Sequence, residues 1–374
     1  MSESKILGII FSNTHDDEMG AMTMVRTMGS LPFGGRYRLV DFPLSTMVNA
    51  GIRNVGMITQ SNYQSLMDHV GAGREWDLAR KIGGLTILPP YANLLNGISG
   101  YRGNLEALHN VRAYIEDSSA KYVLLTDCDT VDNIDYNAML AAHEKSGAGI
   151  TILCSRYEVS THHHGEDLVL SIQEDGFLRD ASRSAEAQGE QDVYMNTAIF
   201  DRELLLRLVA DGVGHGRYSI NETIQNQARS RNVYCYKVEG WFYHIHSLSE
   251  YFVANMELLK EHVREQLFQP DRPIYTKVRD EAPAKYGINS SVKNTFVADG
   301  CVIEGTVENS IIFRGVKVGQ GAVVRNSIVM QDCVIGDNAQ LDYVILDKEV
   351  LIKDGRHLAG YLTYPVYLPK RQHV

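Results

Sequence analysis

Pro32-Phe33-Gly34-Gly35-Arg36-Tyr37-Arg38-Leu39-Val40-Asp41-Phe42-Pro43-Leu44-Ser45 is the stretch on which the reading of this chain turns. Ahead of it, Lys5-Ile6-Leu7-Gly8-Ile9-Ile10-Phe11 is a continuous apolar run, the pattern of a strand buried on both faces of a parallel sheet. Between the two lies Ser12-Asn13-Thr14-His15-Asp16-Asp17-Glu18-Met19, with three carboxylates and no Lys or Arg. In open α/β sheets ligands bind beyond the carboxyl ends of the strands, where this loop falls. A phosphate there needs backbone N–H groups that glycine lets approach closely, and cations to offset its charge. Each carboxylate beside it repels by roughly 1 kcal/mol in water at contact, and by more where water is excluded. No G-x-G-x-x-G or GxxxxGK[ST] pattern elsewhere replaces the loop.

Working outward, Val55-Gly56-Met57-Ile58-Thr59, Tyr122-Val123-Leu124-Leu125-Thr126 and Gly149-Ile150-Thr151-Ile152-Leu153-Cys154 read as further strands. Tyr63 to Val70, Gly103 to Ile115 and Asp135 to Ser146 read as helices, the second through Leu105, Leu108, Val111 and Ile115. Alternation of this kind predicts βαβ units and a mostly parallel, Rossmann-like sheet covered on both faces. Ala181 to Asp192 is polar and short-sided and reads as a loop, and Glu250 to Gln266 as one helical run. Gln269-Pro270-Asp271-Arg272-Pro273 ends that run. The expected organisation is an N-terminal domain over 1–268, a linker over 269–292, and a second domain over 293–374.

That second domain has a different texture. Val318-Gly319-Gln320-Gly321-Ala322 and Ile335-Gly336-Asp337-Asn338-Ala339 share an [LIV]-G-x-x-A pattern 17 residues apart. Ile311-Ile312, Ile328-Val329 and Val344-Ile345 recur at 17 and then 16 residues. Three hexapeptides per coil is the period of a left-handed parallel β-helix.

Composition narrows the function classes. The chain has 374 residues, 44% hydrophobic and 22% charged, with a net charge of −10 and no basic stripe, which argues against nucleic acid. No apolar run is long enough to span a membrane. Met1 to Lys5 runs straight into a core strand, which leads us to expect no leader segment. The five cysteines (Cys128, Cys154, Cys235, Cys301, Cys333) lack CxxC spacing and sit in apolar runs, so core packing in a reducing cytoplasm is expected. His162-His163-His164 cannot all face one metal from a strand or helix and reads as an exposed loop.

The Pro32–Ser45 run closely resembles the sugar-nucleotide pyrophosphorylases, and within them the ADP-glucose pyrophosphorylases (glucose-1-phosphate adenylyltransferases). The resemblance extends over nearly the whole chain and implies a GT-A-like nucleotidyltransferase domain followed by the β-helix. In that family the first strand is followed by A-G-G-x-G-x-R-L, then R-x-K-P-A. Counted without gaps from Phe33, the first arginine falls on Glu18, all three glycines are replaced, and the lysine falls on Met28. The family's Mg²⁺-binding aspartate falls on Asp129 of Asp127-Cys128-Asp129, and a loop aspartate satisfied by backbone N–H groups is an equal reading of it. The second metal carboxylate, in W-R-D-V-G-T, falls on His244, and imidazole is a poor Mg²⁺ ligand beside carboxylate. No E-K-P, which holds the hexose phosphate, stands in or near Asp167–Ser171 and Phe177–Asp180. Tyr101-Arg102-Gly103-Asn104 matches the family's Y-R-G-T, which lines the nucleoside pocket, so Tyr101 and Gly103 are candidates there. Arg26 and Arg38 match residues that help bind a phosphorylated activator at the junction with the β-helix; surface solvation or an inter-subunit ion pair is the competing reading.

The combined losses resemble the non-catalytic subunit type of Gram-positive bacteria. That implies a heterotetramer with a catalytic subunit making ADP-glucose and pyrophosphate from ATP and glucose 1-phosphate, self-association as a further mode, a sugar-phosphate effector, no tightly bound cofactor, and Mg²⁺ at most through Asp129. An active enzyme of shifted specificity and a stand-alone sugar-phosphate sensor are the alternatives.

Overall fold

The computed structural model describes residues 5–14, 16–90, 101–159, 168–183 and 189–374. The His162–His164 run lies outside the described residues. The apolar run becomes the strand Ile6–Phe11, buried throughout. It pairs in parallel with Asn54–Ile58 on one side and Tyr122–Asp127 on the other, and Asn54–Ile58 pairs in parallel with Gly84–Leu88. The carboxyl ends of these strands face one edge, where the Ser12–Met19 loop departs.

Beyond this parallel block the sheet changes direction. Ala181 to Asp192, expected as a loop, instead contributes to two strands, Leu178–Arg183 and Gly189–Asp201. Gly189–Asp201 runs antiparallel to Tyr122–Asp127, to Ile150–Val159 and to Leu168–Ile172, and Val233–Lys237 closes the far edge in parallel with Ile150–Val159. The polar residues are strand residues because only one face of this arm is covered; Leu178 and Ala181 are buried while Arg179, Asp180, Ser182 and Arg183 face out. Two expected helices are interrupted. Gly103–Ile115 divides into Asn104–Asn110 and Arg112–Glu116, and Glu250–Gln266 into Leu248–Glu257 and Glu261–Leu267.

The second domain coils as three parallel five-stranded sheets, a left-handed parallel β-helix. Its first rung, Lys285–Tyr286, already pairs with Val302–Ile303, so the coil begins inside the expected linker. Ile328 pairs with Ile345 and Val329 with Leu346, so the stacked register is 17 residues and not the 16 read from Val344-Ile345. One corner of each coil needs a left-handed backbone. Asn294, Asn309 and Asn326 supply it at φ of 46°, 45° and 44°, a region Asn tolerates. All five cysteines are free and buried.

The two domains share a core. Met19, Met22, Met28, Phe33 and Phe42 pack with Tyr251 and Phe252 of the Leu248–Glu257 helix and with Ile311, Phe313, Ile328, Met330 and Ile345 of the β-helix. Asn255 Oδ1 accepts the Gly34 N–H at 2.9 Å, fixing the Pro32–Ser45 segment in this seam. None of the described helices is long and apolar enough to cross a membrane.

Candidate functional site

The Ser12–Met19 loop begins where Ser12 N–H donates to Ile58 O at 3.1 Å, which keeps it at the end of the first strand. Asn13 Oδ1 accepts the Gln60 N–H at 2.8 Å. Asp16 then turns inward. Its Oδ1 accepts the Met28 N–H at 2.6 Å and its Oδ2 accepts Asn13 Nδ2. Burial pushes this carboxyl up to about 6, and the hydrogen bonds from Met28 and Asn13 oppose the rise. Asp16 thus turns a carboxylate of the altered loop onto the backbone of Met28, the position where the family resemblance puts a lysine. Glu18 is exposed on the outer side of the turn, and Met28 is fully buried in the inter-domain core.

Asp129 is also fully buried. Thr130 Oγ1 lies 3.1 Å from its Oδ1, and Asn196 Nδ2 lies 3.2 Å from its Oδ2. His246 Nε2 sits 3.8 Å from Oδ2. Asn196 reaches this position because the Gly189–Asp201 strand shifts register between Tyr194 and Ala198, with Asn196 at φ 48°. His244 lies on the short strand Tyr243–His244, paired with Thr130, and its ring is 5.6 Å from that of His246. Magnesium calls for oxygen donors with open positions. Both Asp129 oxygens instead have side-chain donors, and imidazoles stand where a second carboxylate would complete the donor set. Among the described residues no group of three or more His, Cys, Asp or Glu is disposed to hold a metal. The residues present do not fit Mg²⁺.

A cavity of about 430 Å³ opens beside the loop, lined by Asn13, Gln60, Arg102, Gly103 and Tyr218 among others. Gly103 is required there, since a Cβ would lie 2.4 Å from Tyr218 O. That close approach lets Tyr218 O accept the Leu105 N–H at 2.9 Å at the start of the Asn104–Asn110 helix. Tyr101 does not line the cavity; it packs against the core of the parallel block. Arg102 lies over the Tyr218 ring at 4.0 Å and is held bidentately by Glu106 at 2.6–3.2 Å. The arginine of this cavity is already paired with a carboxylate.

The expected basic pair separates. Arg26 is not an exposed anion contact: its Nη2 meets Asp347 Oδ2 at 2.6 Å, with the two side chains 3% and 1% exposed. The competing inter-subunit pairing does not describe it either, because the partner is the β-helix of the same chain. Tyr367 Oη donates to the same carboxylate at 2.7 Å. Arg38 instead lines a cavity of about 270 Å³ at the domain junction, with Arg36, Lys277, Arg279, Arg314, Lys348 and Lys370. Against these seven cations the described lining carries three carboxylates, Asp68, Asp332 and Glu349. Burial and the neighbouring Arg38 and Arg26 lower the Lys348 ammonium to about 7, and burial lowers the Arg38 guanidinium to about 10. Sequence reading missed this cluster because its cations come from five separated segments. It read Asp16 only as one of three loop carboxylates, not as a partner of Met28, and passed over His246, which replaces the glycine of the family's W-R-D-V-G-T.

A protein-family model described as Nucleotidyl transferase matches residues 19–261, and one described as GlmU-like, C-terminal hexapeptide matches 281–360. The "Glycogen biosynthesis protein GlgD" of Bacillus subtilis (strain 168) is 35% identical over 370 residues, 99% of this chain and 97% of that protein. The chain belongs to the family of GlgD proteins and glucose-1-phosphate adenylyltransferases. The Geobacillus stearothermophilus protein of the same GlgD name is 40% identical over 321 residues, covering 86% of this chain and 83% of its own. The "Glucose-1-phosphate adenylyltransferase" of Fervidobacterium nodosum is 30% identical over 352 residues, covering 94% and 84%. Both GlgD relatives are named for glycogen biosynthesis, and the nucleotidyltransferase frame is the one on which the altered loop sits.

Proposed function

We propose that this chain is a regulatory, catalytically deficient subunit that tunes a catalytic ADP-glucose pyrophosphorylase partner in a heterotetramer. The observation that carries the reading is Asp16, which stands in the loop where a triphosphate would bind and whose carboxylate accepts the Met28 N–H. Expelling it in favour of phosphate would bring two anions into competition for one set of donors. No lysine replaces the one at Met28, and Asp129 is engaged by Asn196 and Thr130. Pyrophosphate departure needs preorganised positive charge, and this loop supplies carboxylates instead. Regulation would act through an interface that favours the active arrangement of the partner's loops, a coupling of about 1–3 kcal/mol.

The junction cavity is the effector site in this reading. Four more cations than carboxylates, several of them half-buried, suit a phosphorylated metabolite. Mixing the purified chain with a catalytic subunit from the same source tests the proposal. The two should co-elute, and the partner's turnover should change severalfold. Independent elution with unchanged turnover contradicts it.

A further inference from the structure

A second large cavity, of about 520 Å³, shares no lining residue with the cavity beside the altered loop or with the junction cavity. Its wall is the end of the Val233–Lys237 strand and the turn that follows it, together with the segment just before the Tyr136–Ser146 helix and the end of the Glu261–Leu267 helix with the segment after it. Tyr236, Trp241 and Phe242 line it, all partly buried and so able to present ring surface to the space. Trp241 is fixed in place because Gly240, at φ 134°, turns the chain and the Trp241 N–H donates to Gln266 Oε1. Carboxamides complete the lining. Asn133, 6% exposed, donates through Nδ2 to Leu267 O and Arg272 O, both at 2.8 Å, and its Oδ1 has no protein partner. Arg272 Nη2 donates to Gln269 Oε1 at 2.5 Å, while its buried Nε has no partner. A buried donor or acceptor left in this state favours a ligand that supplies its missing partner.

The charge pattern excludes a phosphate here. Lys237 and Arg272 are matched by Asp135 and Glu239, in contrast to the cation surplus of the junction cavity. Aromatic faces beside neutral amides and balanced charges suit a ligand with an apolar C–H face and a rim of hydroxyls. We propose that this cavity binds a neutral glycosyl ring, with Trp241 as the stacking platform and Asn133, Gln269 and Arg272 addressing its hydroxyls. The site would let the subunit attach to an α-glucan independently of nucleotide chemistry.

Native electrophoresis of the purified full chain in gels with and without glycogen tests this directly, alongside calorimetric titration with maltoheptaose, glucose and glucose 1-phosphate. Retardation by glycogen and saturable binding of maltoheptaose are expected, weakened at least tenfold in Trp241→Ala and in Gln269→Ala. Gln269 is a partly exposed residue beside the cavity, so its variant keeps the test open if Trp241→Ala fails to fold. Binding of glucose without maltoheptaose supports the glycosyl site but assigns it to the free sugar. Three results overturn it: no binding of any neutral sugar, binding of glucose 1-phosphate alone, or glycogen retardation unchanged in both variants. The fluorescence of the two tryptophans adds a second readout, because Trp76 is 1% exposed and Trp241 lines the cavity.

Discussion

Replacing Arg26 by alanine should destabilise the chain severely, and the structure indicates by how much. The Arg26–Asp347 contact is 2.6 Å long and almost fully buried, so Asp347 would lose its counter-charge in a place water does not reach. Breaking a buried pair by removing one partner costs about 3–5 kcal/mol. Tyr367 Oη and the Lys348 N–H still donate to Asp347, at 2.7 Å each, which favours the lower half of that range. Lys348 adds a pH dependence. Arg26 is one of the charges that lower Lys348 to about 7, so its removal lets Lys348 hold its proton to higher pH. The folded variant then binds more protons than the folded wild type around and above pH 7, and the loss of stability should grow from pH 6 to pH 8.5. Guanidinium unfolding, followed by fluorescence and circular dichroism at both pH values, measures this. Arg26→Met with Asp347→Leu should lose far less than the two single variants together, since it leaves no buried charge behind. A loss within about 0.5 kcal/mol for Arg26→Ala, the range of ordinary surface changes, would refute the reasoning.

The other predictions concern the altered loop and the junction. Asp16 titrates near 6 when folded and near 4 when unfolded, so the folded state binds more protons between those values and stability should fall as pH rises through them, by up to about 3 kcal/mol. Asp16→Asn should flatten that slope in a pH series of unfolding midpoints. Sulfate, whose charge is constant over this range, should raise the thermal midpoint more at pH 6.5 than at pH 8, because Lys348, lowered to about 7 and lining the cavity, gains its proton as pH falls through that window. Arg38→Ala or Arg279→Ala should weaken that sulfate effect about tenfold, the equivalent of roughly 1.4 kcal/mol. Glu18→Arg with Met28→Lys should not create adenylyltransferase activity and should lower the midpoint, because Met28 is fully buried and a lysine there would put an ammonium into the inter-domain core.

The parallel block and the β-helix were legible in the sequence for the same reason: their patterns are local. Ile6–Phe11 is apolar at every position because both faces are covered, and Val318 and Ile335 repeat in phase because each coil stacks on the last. The antiparallel arm was not legible, because Leu178–Arg183 and the start of Gly189–Asp201 show strand character only against their partners Leu168–Ile172 and Ile150–Val159. The site divided in the same way. The departures from the resembled family's phosphate and metal positions could be counted along the chain, at Glu18, Met28 and His244. What replaced them could not. Asp16 meets Met28 twelve residues away, Arg26 meets Asp347 across 321 residues, and Asn196 reaches Asp129 only through a bulge. Charge composition gave no warning of the junction either, since a chain of net charge −10 gathers seven cations around one cavity.

The most direct test is pyrophosphate release from ATP, Mg²⁺ and glucose 1-phosphate by the purified chain alone. The account predicts turnover at background, with activity appearing only when a catalytic subunit is added. Substantial turnover by the chain alone would contradict it, and would mean that Asp16 releases the Met28 N–H and that other residues carry the chemistry.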